Sequence, residues 1–261
     1  MQKTIIDLTL WQLALAFLLI GVVYAVALVE RLNLGKDIFV SAARMTVQLV
    51  LLALVLKFVF AVEAWFLVLL IFLWMVFWAA QAVAQRTGIR FRGMKKIVFW
   101  SLLVGGGSVT FFFVLMVVHP SPWYQPRYFI PLAGMIMGNS MNGSALALER
   151  FYSDVRQNRL GIETLLALGA TAAQSSRQAY RKAFRAALLP PLMAMSSMGI
   201  VSIPGMMTGQ ILSGTAPLIA VKYQIAIMTA IVGTVALNAL LILNFERKVL
   251  FNKFHQLVLE E

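Results

Sequence analysis

The chain has 261 residues, 61% hydrophobic and 12% charged, with a net charge of +12 and no cysteine. A soluble domain of this length would need far more charged surface, and without thiols there are no disulfides, thiolate metal sites or iron–sulfur ligands. Apolar runs reach ~20 residues, enough to cross ~30 Å of hydrocarbon as helix, and the ~10-residue alternating strands of a membrane β-barrel are missing. The fold class is therefore all-α, a polytopic integral membrane protein. Its basic residues lie between apolar runs, so topology accounts for them better than nucleic acid does.

Seven spans are expected, at about 8–29, 38–60, 64–84, 97–118, 128–148, 187–208 and 218–243. The first ends near Ala25-Val26-Ala27, which resembles a signal-peptidase site. Its length, and the offset of Lys3 by Asp7, favour a retained helix. The second carries Asp37, Ser41, Arg44 and Gln48 on one helical face. A charge at mid-bilayer costs at least ~2.5 kcal/mol. Arg44 therefore either snorkels or pairs with Asp37, or it faces a substrate pathway together with Gln48. In the third span Trp65 suits an interface, and Trp74 and Trp78 suit packing. Gly105-Gly106-Gly107 in the fourth would admit close neighbours. The following loop, His119–Tyr128, holds three prolines that favour an extended path, and Trp123, Tyr124 and Tyr128 fit an aromatic belt.

The fifth span offers Gly134 and Gly138 as a G-x-x-x-G packing face. Asn139, Asn142 and Glu149 lie on one side. Buried amides need partners, so they serve either interhelical hydrogen bonds or a polar pathway wall. Methionines such as Met135, Met137, Met193 and Met198 cluster in spans five and six, where flexible core filling explains them better than soft-metal binding. In the sixth span Ser202 precedes Pro204 and Gly205, a pair expected to break the helix and form a gate or substrate site. Between these spans lies a polar insert at about 150–186. Leu160, Glu163, Leu166 and Ala167 suggest a helix ending at Gly169, and Thr171 could cap a second helix running to about Arg185.

Charge bias sets the expected orientation. With the N-terminus outside, Arg31, Lys36, Arg86, Arg90, Arg92, Lys95 and Lys96 fall inside, with seven basic residues of the insert and then Arg247, Lys248 and Lys253. Only Lys3, Lys57, Arg127 and Lys222 fall outside. A split of 17 to four is a strong positive-inside signal and leaves the C-terminus and the insert cytoplasmic. The whole chain reads as one transmembrane domain. No P-loop, H-E-x-x-H or G-x-S-x-G motif occurs. No Asp or Glu falls in the middle of an expected span, which argues against a proton- or sodium-coupled carrier. The chain is thus expected to be no enzyme, and uphill transport would draw on energy from outside it.

Five strings carry a resemblance. They are P-L-A-G-M-I-x-G-N-x-M, L-A-L-G-A-T-x-x-Q, R-x-A-F-R-A-A-L-L-P, G-I-V-S-I-P-G-M-M-T-G-Q-I-L-S-G and A-x-K-Y-Q-I, and all lie between Pro131 and Ile225. The chain resembles the ATP-binding-cassette (ABC) permease family that includes bacterial iron exporters and plant aluminium-tolerance permeases linked to UDP-glucose. The similarity runs from about Arg31 to Phe245. It implies a multi-pass permease of the bacterial inner membrane, acting as a homodimer with two cytoplasmic ATPase subunits. Those subunits would bind ATP and Mg, with no cofactor in this chain. The implied cargo is iron, another metal or a metal chelate, with UDP-glucose or another anionic molecule as the alternative. Glu163, Leu168, Gly169, Ala170 and Thr171 would form the ATPase-coupling contact. A membrane protein that recruits a cytoplasmic partner or lipid without transporting anything is the reading from a different class.

Overall fold

In the computed structural model, residues 6–87, 93–252, 256 and 257 are described. Lys3, Arg90, Arg92 and Lys253, used above to orient the chain, lie outside them. Among the described residues the secondary structure is helical, with two isolated β-bridges and no strand. The chain divides into two compact units, Met1–Glu63 with Leu212–Gly214, and Ala64–Ile211 with Thr215–Glu261.

The smaller unit is a helical hairpin. Helix α1 (Leu10–Val29) starts at Thr9, whose hydroxyl accepts from the Gln12 amide while the Gln12 side chain accepts from the Thr9 amide. This capping box satisfies two donors that a helix start leaves open. Helix α2 (Gly35–Val62) follows. Gly35 lets the two helices approach, because a Cβ there would sit 2.7 Å from the Tyr24 ring. Nearly every apolar side chain of both helices is exposed, as suits helices bathed in hydrocarbon.

The larger unit is a packed bundle. Helix α3 (Trp65–Thr87) buries Val68, Phe72, Val76 and Val83 along one stripe. The next long helix, Met94–Val118, comprises α4 (Met94–Ser101) and α5 (Gly107–Phe112), with π-helical turns at Leu102–Gly106 and Phe113–Val118. Helix α6 (Pro126–Gln157) begins on Pro126 at its first turn, where the missing N–H costs nothing. The preceding segment turns rather than staying extended, since the Gln125 amide bonds the Pro122 carbonyl. Trp123 from this turn, Phe72, Phe111 and Phe129 form an aromatic cluster with centroids 5.5–6.3 Å apart, edge-on except for the tilted Phe111–Trp123 pair.

Helix α7 (Arg159–Ala167) and the single turn α8 (Ala172–Ser175) follow, then α9 (Arg177–Ser197), α10 (Gly205–Leu212) and α11 (Pro217–Leu250). Helix α6 is the hub, packed against α3, α9 and α11. Close approach comes from small residues, because lipid supplies no hydrophobic drive between helices. A Cβ on Gly143 would lie 2.6 Å from Val235, and one on Gly106 would meet the Met137 side chain at 2.5 Å. The expected G-x-x-x-G pair plays little part. Gly134 only nears Met75, and Gly138 meets nothing within 4 Å.

Five helices are long and apolar enough to cross a membrane: Leu10–Val29, Gly35–Val62, Trp65–Thr87, Met94–Val118 and Pro217–Leu250. The other two expected spans are not among them. The fifth lies inside the 32-residue α6, whose apolar run is interrupted by Asn139, Ser140, Asn142 and Ser144. The sixth is divided between α9 and α10.

Candidate docking knob and polar seam

The polar insert is built differently from the expected pair of short helices. Its first residues continue α6 to Gln157, and its last residues open α9, which runs without interruption to Ser197. Only residues 158–176 form a separate knob, set at the end of these two long helices. Asn158 both closes α6 and opens α7. Within α7 Arg159 and Glu163 form an ion pair at 2.7 Å, and Ile162 is the buried anchor. The helix stops as expected: Gly169 adopts φ 90°, and its amide bonds the Leu166 carbonyl. Thr171 then caps α8 through a capping box with Gln174. Leu160 and Leu168 are 80% and 78% exposed, so the knob presents leucines outward beside the glycine turn.

Polar contacts tie the knob end of the bundle together. Asp154 of α6 is buried and meets Arg150 at 3.2 Å and Lys182 of α9 at 3.7 Å. The Tyr152 hydroxyl donates to Glu246 Oε2 at 2.8 Å, joining α6 to α11. Glu246 is fully buried and its other oxygen has no hydrogen-bond partner. The Arg247 guanidinium lies 5.5 Å from the centre of the Tyr180 ring, a cation–π contact between α11 and α9. Burial pushes the Tyr180 phenol above its ordinary value, against the pull of Arg247 and of a hydrogen bond with Asn244. It therefore stays neutral near pH 7.

Deeper in the bundle a polar seam follows the packed faces. Ser101, Ser140, Ser144 and Asn238 are buried, and their side chains find no hydrogen-bond partner in the protein. The Asn238 carboxamide occupies the space beside Gly105 and Gly106, where a Cβ on Gly105 would collide with its oxygen. Thr234, one turn away on α11, is satisfied by the Ala230 carbonyl at 2.6 Å.

The predicted pathway residues fall in both compact units and are described unit by unit. Arg44 and Gln48 are exposed on α2, in the smaller unit, with no ion pair between Arg44 and Asp37. In the larger unit, Asn139, Asn142 and Glu149 are exposed along α6. The Asn139 amide bonds the Met135 carbonyl of its own helix, whereas Asn142 accepts from Arg86 of α3 at 3.2 Å. The helix break is present and centred before the proline. Helix α9 ends at Ser197, Gly199 adopts φ 84°, and its amide bonds the Ser202 carbonyl. Pro204 then supplies the carbonyl to which the Thr208 amide bonds, and Gly205 is the first residue of α10. Among the described residues no group of three or more His, Cys, Asp or Glu could hold a metal ion.

The sequence pattern described as "Uncharacterised protein family (UPF0014)" matches residues 10–251. The chain belongs to the UPF0014 family. It is 35% identical over 261 residues to the UPF0014 membrane protein slr1647 of Synechocystis sp., covering 99% of this chain and 100% of that one. It is 32% identical over 255 residues to the probable iron export permease protein FetB of Escherichia coli, covering 98% and 97%. To the protein ALUMINUM SENSITIVE 3 of Arabidopsis thaliana it is 34% identical over 227 residues, covering 87% and 81%. No solved structure matches it. With five apolar helices of spanning length, this UPF0014 chain is a multi-pass membrane protein.

Several residues of the knob end and the polar seam in this UPF0014 chain escape a reading of the sequence. Asn238 stands as a lone amide in the last apolar run, and Glu246 follows that run by three residues of the expected boundary. Both carry a signal of their own, polarity within or beside an apolar helix. Arg86 and Tyr152 carry none, because their partners lie 56 and 94 residues away.

Proposed function

We propose that this UPF0014 protein is the membrane permease of an ABC transporter that exports iron, another metal ion or a metal chelate. A separate cytoplasmic ATPase, holding ATP and Mg, would supply the energy. The observation that carries this reading is the knob at 158–176. It is a compact polar turn with outward leucines, carried at the joint end of two long helices that enter the bundle core. Glu163, Leu168, Gly169, Ala170 and Thr171 are the proposed contact. Displacement of the knob would move α6 and α9 together, because Asp154 and Lys182 link them beside it. The permease would work as a homodimer with seven spans per copy, α6 and the α9–α10 pair supplying the two beyond the apolar five. Its N-terminus would lie outside and its C-terminus in the cytoplasm. The relative named as a probable iron export permease supports the cargo.

One observation favours an anionic cargo instead. Arg86 reaches the Asn142 side of α6, and a guanidinium on a pathway wall would repel a bare cation. A chelate or a sugar nucleotide fits that wall better. The deciding experiment reconstitutes the permease with its ATPase in liposomes and follows ATP hydrolysis as metals, metal chelates and UDP-sugars are added. Stimulation by iron or its chelates is the expected result. Stimulation by UDP-sugars alone would transfer the assignment to the second reading, and no complex with any ATPase would refute both.

A further inference from the structure

The face of α9 between Tyr180 and Leu192 carries a groove that the permease reading does not use. It has a volume of about 440 Å³ and is lined by Tyr180, Arg181, Arg185, Leu188, Leu189 and Leu192 among others. Its two ends differ chemically. Arg181 and Arg185 are exposed, four residues apart and so on one helical face. Among the described residues no carboxylate pairs with either. Two unpaired guanidinium groups at this spacing repel, and an anion held between them removes that cost. Tyr180 lies beside them, its ring stacked on Phe184 at 8° and 6.4 Å. An aromatic ring with a polar tip is the side chain that settles at the headgroup level of a bilayer. Beyond the arginines the lining is leucine. From Arg181 to Leu192 the helix advances about 16 Å.

We propose that this groove is a binding site for one anionic phospholipid from the leaflet on the knob side. Its phosphate sits between Arg181 and Arg185, and an acyl chain runs along Leu188, Leu189 and Leu192. Charge complementarity selects this occupant. A second copy of the chain would bring the same two arginines, and a zwitterionic phospholipid would bring its own cation beside its phosphate, to be repelled by them. The site lies next to the Tyr180–Arg247 contact that joins α9 to α11. A bound headgroup would therefore brace α9 where the knob meets the bundle.

Native mass spectrometry of the purified chain, titrated with phosphatidylglycerol or phosphatidylcholine, tests this directly. One phosphatidylglycerol is expected to bind more tightly than phosphatidylcholine. Arg181→Ala and Arg185→Ala should each weaken it about fivefold, the effect of one basic residue at a lipid surface. Arg181→Lys should restore most of the preference. Arg177→Ala removes an equal charge one turn before the groove and should weaken binding distinctly less than either groove variant. An equal loss in Arg177→Ala would reduce the effect to general surface attraction and overturn the site. So would equal binding of both lipids, or competition by soluble glycerol phosphate. Disulfide formation between copies of Leu189→Cys would assign the groove to a second copy and overturn the proposal as well.

Discussion

Glu246 is a carboxylate sealed inside the bundle with a single donor, the Tyr152 hydroxyl. A buried polar group is costly once its partner is gone, by about 1.5–3 kcal/mol for bonds to charged groups. Tyr152→Phe should therefore lower stability in detergent by about that much, read as a fall in melting temperature. Adding Glu246→Leu should recover part of the loss, because removing both partners leaves no orphaned group. A double variant less stable than Tyr152→Phe would show that the carboxylate has further support. Asn238 and Gly105 share a second dependence of this kind. Any side chain at Gly105 collides with the carboxamide, so Gly105→Val should destabilise by about 1–3 kcal/mol as overpacked cores do. At this scale the sequence is read only in part. The amides of α6 are visible as polar letters in an apolar run. Whether they bond within the helix, as Asn139 does, or across helices, as Asn142 does, depends on Arg86 far away in the chain.

At the scale of elements, local chemistry marks the knob well. Thr171 and Gln174 form their capping box from neighbours three residues apart, and Gly169 turns the chain at a φ that other residues avoid. Both were legible because capping and turn chemistry is short-range. Thr171→Ala should cost about 1 kcal/mol of local stability and speed amide exchange over 171–176. Gly169→Trp should weaken ATPase binding and stimulation while leaving the bundle folded. Unchanged co-purification would disprove the docking assignment. Less legible was where the knob begins and ends. Arg150–Gln157 and Arg177–Arg185 are basic and polar, yet they continue the helices of the bundle. Composition distinguishes lipid from water and is silent on whether a helix stops at that boundary. The break in the sixth span was visible from Pro204 and Gly205, but the residue that takes the unusual dihedral is Gly199.

For the whole molecule, hydropathy gave the class directly, since backbone groups in hydrocarbon leave few alternatives to helices. Seven apolar runs were expected and five of them are helices long and apolar enough to cross a membrane; in the expected fifth, α6 carries four polar residues within six positions, and the expected sixth is divided between α9 and α10. Orientation rests on charge asymmetry and can be measured cleanly because the chain has no cysteine. Lys222→Cys should react with an impermeant thiol reagent from the outside of intact cells, and Gln157→Cys only after permeabilisation. The opposite pattern would invert the topology and remove the knob from the reach of any cytoplasmic ATPase.

Helix α6 passes from the aromatic cluster around Trp123 to the knob in 32 residues without a break, a length of about 48 Å. The facing of the knob is thus indexed to the helical phase of a single rod. One alanine inserted between Glu149 and Arg150 would rotate everything beyond it by about 100° and advance it about 1.5 Å. Four would bring it back to within about 40° of its original bearing, though about 6 Å further out. Coupling to an ATPase should then fail and partly return with the period of a helix turn, as a key works only at matching angles of its lock.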